Sequence, residues 1–355
     1  MRKLLIVLML MFAGPALGQS PSPAKVLDQA VNLAIRPAMV EFRREASGLE
    51  AAMGALCANP SDDTLRIAHQ TFAQAAIAYG EVEFLRVGPL MEESRAERLL
   101  FFPDRKGIGL KQVQAILAEE DPSAIDAVSL RDKSVAAQGF GALEFVLYGS
   151  GAEAVATADG AFRCRYGQAI ATNISRIADE LAWGWYRQDG IAVHLMRPAP
   201  ENNDYRTPIE AMEEIVGLVS HGIEATRDQR LHPFMADGDK AAKPKQALFW
   251  RSGLTIAMVR ANVEGMRKLI AVSGVAADVT EKDKGLENSI AFEFRNAERA
   301  LNLVTAPIEE ALEDPKQVQA LNYLVLVTGS LQAMVGEQLS AALGLSVGFS
   351  SLDGD

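Results

Sequence analysis

Cysteine occurs only twice in the 355 residues, at Cys57 and Cys164, and histidine four times, at His69, His194, His221 and His232. So few ligands in separate elements leave no thiolate cluster. No His-Glu-x-x-His is present to build the zinc site of a helical peptidase. A Cys-x-x-Cys-His haem attachment, a phosphate-cradling glycine loop and a Ser/His/Asp order are equally missing. Positive charge is in deficit, 35 basic against 46 acidic residues. That balance repels nucleic acid and anionic lipid and weakly enriches cations near the surface. Sustained alternation of β-branched residues is lacking too, so strands are expected to be absent or trivial.

Long apolar runs are scarce. The one that stands out, Leu4–Ala13, follows Arg2-Lys3 and precedes Gly14-Pro15 and Ala16-Leu17-Gly18. A positive start, an apolar centre and small residues before a cut are the grammar of a secretion signal. The run is about half the roughly 20 residues of a spanning helix, and no cysteine follows it to carry a lipid. Cleavage is expected after Gly18, which places the mature chain in the periplasm. With Arg2 and Lys3 removed, 33 basic residues face 46 acidic ones, net −13. No second stretch reads as long enough to span a bilayer. In an exported chain an isolated cysteine pair reads first as a disulfide, with two buried free thiols as the alternative.

Helical periodicity dominates what remains. Residues 19–23 read as a flexible lead-in. Leu27, Val31, Ile35, Ala38, Phe42, Ala46, Leu49, Met53 and Leu56 form one stripe at spacings of three and four. Pro37 inside that stripe should kink or divide the helix. A second helix is expected to run from the Asn59-Pro60-Ser61 cap to about Arg86. Residues 87–107, with Gly88, Pro89, Pro103 and Gly107, read as a structured loop of the long kind that often carries function. Helices follow at 110–118, again after the Asp121-Pro122 cap, and at 133–148 and 162–186. A Pro- and Asn-rich segment, 190–205, then separates further helices at 207–229, 246–273, 286–304 and 315–343. The expectation is an all-α protein of two bundles side by side, 24–195 and 205–355.

Four segments carry chemistry. In Gly139-Phe140-Gly141-Ala142-Leu143-Glu144-Phe145, Glu144 is the only charge between Ser134 and Gly149. A carboxylate there needs a cation, a metal or hydrogen-bond donors. Pairing with an arginine between helices answers that need as well as a ligand does. Glu83 and Arg86, three apart, can pair on one helix face, and the loop through Asp104-Arg105 could bring a second carboxylate nearby. Trp250-Arg251-Ser252 offers a guanidinium stacked on indole, ready for an anion, or a core tryptophan beside a surface arginine. The terminus, Gly348–Asp355, is an acidic tail with apolar anchors.

Taken together, the Val-Gly-Pro turn, "LLFFPDRKGIGLKQVQAIL", "AQGFGALEFVLYG", "ALFWRSGL" and "GFSSLDGD" resemble the imelysin family. These are exported helical proteins, filed both as insulin-cleaving-type peptidases and as iron-regulated proteins. The resemblance spans essentially the whole mature chain and implies two helical domains with a site at a Gly-x-His-x-x-Glu motif. Gly139 and Glu144 occupy the motif's glycine and glutamate, and Gly141 stands where the histidine belongs. It further implies service in iron uptake beside other periplasmic components, binding iron, a small chelate or a partner in the cleft between the bundles, with no cofactor other than iron implied. Glu144, Glu83 and Asp104 would be its oxygen ligands. Arg86, Arg105, Trp250, Arg251 and Ser252 would surround them as anion-holding or supporting groups. Loss of the motif histidine weighs against a metallopeptidase and leaves open a partner-binding module without metal.

Overall fold

The computed structural model describes residues 22–104, 106–277, 279 and 281–346. Among these the only β feature is an isolated bridge between Asp237 and Lys240. The helices are α1 Pro23–Gln29, α2 Arg36–Ala58, α3 Asp62–Gly80, α4 Arg95–Leu99, α5 Ile108–Glu119, α6 Ala127–Leu130, α7 Phe140–Tyr148 and α8 Ala161–Gly184. They continue with α9 Ile191–Met196, α10 Pro208–Ala225, α11 Thr255–Ser273, α12 Leu286–Asn302, α13 Ile308–Ala311, α14 Pro315–Gln332 and α15 Ser340–Leu343. The expected all-α class is what the chain adopts. The expected leader, Arg105 and the 348–355 terminus lie outside the described residues.

The first stripe divides where proline demanded it. Pro37 has no N–H to give to the carbonyl of Leu33, and a π-wound turn, Ala30–Ile35, takes up the mismatch just before α2. In the first half α2 packs between α3 and α8, and α7 packs on α8. In the second, α10, α11, α12 and α14 pack on one another. The halves share surfaces: α11 lies against α3, and α1 lies against α10 and α11. One apolar cluster accordingly runs from Val26 to Leu345.

Cys57 and Cys164 form a disulfide joining α2 to α8 across 107 residues, with Cα atoms 5.5 Å apart. One run, Pro315–Leu343, is long and apolar enough by length and composition to cross a membrane, a stretch the sequence reading passed over. In the fold its α14 portion packs on α10 and α12.

Three helix boundaries differ from expectation, each for a steric reason. The second helix stops at Gly80 rather than Arg86, because α11 crosses there. A Cβ at residue 80 would lie 2.8 Å from that of Ala261, and Asn262 donates a hydrogen bond to the Gly80 carbonyl at 2.8 Å. The 133–148 helix begins only at Phe140, since the backbone of Arg98-Leu99 presses against residue 139. The expected 246–273 helix begins at Thr255, and residues 248–253 form a turn with left-handed Phe249 (φ 56°) and Gly253 (φ 71°).

Candidate functional site

α7 carries the central carboxylate. Its sequence, Phe-Gly-Ala-Leu-Glu-Phe-Val-Leu-Tyr, is apolar on nearly every face, so the helix must be enclosed. Enclosure requires its last carbonyls to find donors. Arg163 supplies two, to Phe145 (2.6 Å) and Val146 (2.9 Å), and reaches Ser150 (2.8 Å) just past the helix, while the His69 ring reaches the Leu147 carbonyl at 3.1 Å. At the other end Gly139 lets α7 meet the preceding chain: a Cβ there would sit 2.2 Å from the Leu99 carbonyl oxygen. Gly141, two residues on, is the opposite case. A Cβ on it would meet nothing within 4 Å, because it faces a cavity of about 770 Å³.

Glu144 is 4% exposed at the edge of this cavity. Its Oε1 accepts from the backbone N–H and the hydroxyl of Ser252, both at 3.0 Å. The Arg251 guanidinium stands 4.0 Å from Oε2. Burial pushes the carboxyl above the usual carboxylate range, and the Ser252 and Arg251 groups pull it part of the way back.

The turn that supplies these partners belongs to the second half and is pinned into the first. Phe249, 2% exposed, stacks edge-on to Phe72 at 5.7 Å and Phe140 at 6.5 Å. A left-handed non-glycine residue costs free energy, which the buried ring offsets. The Thr255 hydroxyl ties the turn back to the Leu248 carbonyl at 2.7 Å. Arg251 is then held with its guanidinium 4.5 Å from the centre of the Trp250 ring and 5.5 Å from that of Phe145. Lys245 approaches the same indole at 5.4 Å.

The cavity thus brings together Gly141, Glu144, Asp104, Trp250 and Arg251. Asp104 is there as a helix cap, accepting from the N–H groups of Ile108 (2.8 Å) and Leu110 (3.2 Å) at the start of α5. Glu83 is placed elsewhere, on a small neighbouring cavity. The expected Glu83–Arg86 pair does not form, because the helix has ended and residues 81–84 turn. Arg86 pairs with Glu97 at 3.1 Å instead. Arg230 grips both Glu83 oxygens at 3.1 and 3.2 Å while Asn262 donates at 2.8 Å.

The sequence reading overlooked Asp228 and Lys245 on the cavity wall, and gave His232 no partner. A π-wound turn, Thr226–Leu231, turns Asp228 towards His232, 3.4 Å away, while Arg227 holds the same carboxylate at 2.7 Å. The Asp-x-x-x-His spacing was the available signal. The other histidines go separate ways: His69 stacks on Tyr148, and His194 bonds Asp204. Among the described residues no group of three or more His, Cys, Asp or Glu side chains converges as a metal site.

Fold and cleft together define an all-helical protein whose two helix groups share one ligand-sized cavity. The imelysin family model matches residues 35–334, and the chain belongs to that family. Two solved structures have the same fold. An imelysin-like protein from Psychrobacter arcticum is 16% identical with a TM-score of 0.76, covering 93% of this chain and 98% of that one. A proposed iron-regulated protein A precursor from Parabacteroides distasonis is 14% identical with a TM-score of 0.68, covering 90% and 97%. No curated protein matches this sequence.

Proposed function

We propose that this chain is an exported, non-enzymatic component of iron acquisition that holds iron, or a small chelate of it, in the cleft beside Trp250. The observation that carries the reading is the cleft itself: a buried glutamate and a stacked arginine at the junction of the two halves, with open space at position 141. Family membership and the iron-regulated name of a structural neighbour support the link to iron. The leader-like start supports export, as does the disulfide, and its partners would be other periplasmic iron-uptake proteins.

Equilibrium dialysis against ferrous sulfate or ferric citrate, followed by elemental analysis, tests the proposal. The wild type should retain stoichiometric iron from one of the two. Gly141→Trp, which fills the cleft from a position where a Cβ touches nothing, should lose it while its circular dichroism is unchanged. Retention of no iron from either source by the wild type ends this reading.

One observation favours a second reading, a module that binds a protein partner without metal. Glu144, Glu83 and Asp104 are each already engaged within the fold. A pull-down comparing the full protein with one truncated before Gly348 separates it. Failure of both to capture any partner reproducibly removes it.

A further inference from the structure

The cleft's charges narrow the class of its occupant. Its volume of about 770 Å³ falls among small-molecule pockets, roughly 300–1,000 Å³, far more than an ion needs. Three carboxylates reach its wall, and all three are engaged. Asp104 caps α5, Asp228 is held by Arg227 and faces His232, and Glu144 accepts two hydrogen bonds from Ser252. The cations are less committed. Arg251 has one carboxylate within ion-pair reach among the described residues, Glu144 at 4.0 Å, and its side chain is 22% exposed. Lys245 is exposed on the same wall.

Stacking on Trp250 fixes the plane of the Arg251 guanidinium without consuming its N–H donors. A planar fork held in this way matches a carboxylate, which it can bind through two parallel hydrogen bonds. Lys245, beside the same indole, adds a second positive charge. Phe101, Phe102 and Leu110 give the cavity an apolar side for a ligand's hydrocarbon part.

Resting on the cleft being the binding site, we propose that it recognises a small polycarboxylate, free or wrapped around a metal ion, through Arg251 and Lys245. Glu144 is a positioning residue in this arrangement. It anchors the 249–253 turn through Ser252 and competes with the ligand for Arg251. The competition yields a signature that a cation site cannot give. Removing the Glu144 charge weakens the binding of a bare cation but strengthens the binding of an anion.

Isothermal titration of the purified protein with citrate, ferric citrate and ferrous sulfate makes the test. Citrate, ferric citrate or both should bind. Arg251→Met should weaken that binding at least tenfold, the loss expected for a charge-assisted fork. Arg251→Lys, which keeps the charge but not the fork, should fall between the two. Glu144→Gln keeps an acceptor for Ser252 and should bind severalfold more tightly, and circular dichroism shows that each variant is folded. The proposal is overturned if neither form of citrate binds, if Arg251→Met matches the wild type, or if Glu144→Gln weakens binding. Ferrous ion bound without citrate overturns it and leaves the iron reading standing. Iron-free citrate bound as tightly as ferric citrate upholds it and removes iron from the function.

Discussion

Glu83, half-buried, and Glu144, buried, are first-half carboxylates that each meet an arginine of the second half, and they are used in opposite ways. Arg230 grips Glu83 with two contacts near 3.1 Å, Asn262 adds a third, and the guanidinium lies 4.9 Å from the Phe102 ring. Glu144 receives its close contacts from a turn, while its arginine stays at 4.0 Å on the edge of a cavity. The first arrangement is an ion pair gripped at both carboxylate oxygens that ties the halves together, with the Arg230 Nη1 buried and left without a partner. The second leaves a half-buried cation beside open space, where a ligand can reach its donors. The α7 glycines repeat the contrast, position 139 being walled by backbone and position 141 facing the cavity.

Breaking the Glu83–Arg230 pair should have the largest effect. Glu83→Ala leaves Arg230 buried and uncompensated and should cost about 3–5 kcal/mol. Glu144→Gln, which retains the Ser252 contacts, should stay within about 1 kcal/mol of wild type. Urea unfolding of both variants measures the difference, and equal losses would erase the distinction drawn here. Next in size is Gly139→Ala, expected to cost about 1–3 kcal/mol because the Leu99 backbone must move. Gly141→Ala should instead gain up to about 1 kcal/mol by restricting the unfolded chain.

A smaller effect comes from pH. Burial raises the Glu144 pKa in the folded state, so on acidification the folded protein takes up this proton before the unfolded chain does. This contribution is fully present below the unfolded pKa and is lost as pH rises through the folded one. Lowering the pH from about 7 to about 5 should therefore stabilise the wild type relative to Glu144→Gln, and a constant difference would contradict it. The subtlest change is Gly141→His. It puts an imidazole three residues before Glu144 and should raise the affinity for ferrous ion, as measured by dialysis.

The helical class and most long helices were legible because burial imposes a period that survives in sequence. The disulfide was legible from two lone cysteines behind a leader, and Glu144 from its isolation in an apolar helix. What escaped depends on distant encounters. Nothing near Glu83 announces Arg230, which is 147 residues away. Residues 246–254 look helical by composition, and only the docking of Phe249 among Phe72 and Phe140 explains why the backbone turns over there. That Asp104 caps α5 was not legible either, because the cap depends on a backbone path that composition does not encode.

The disulfide between α2 and α8 encloses residues 57–164, and every first-half segment lining the cleft falls inside that span. In the chain-entropy view, closing a loop of this length removes about 4–5 kcal/mol of freedom from the unfolded chain. The constraint therefore falls on the first-half walls of the cleft against which the 249–253 turn docks. A chain whose two thiols stayed reduced would lack that constraint, and the walls of the cleft would be the part of the molecule most loosened by its loss.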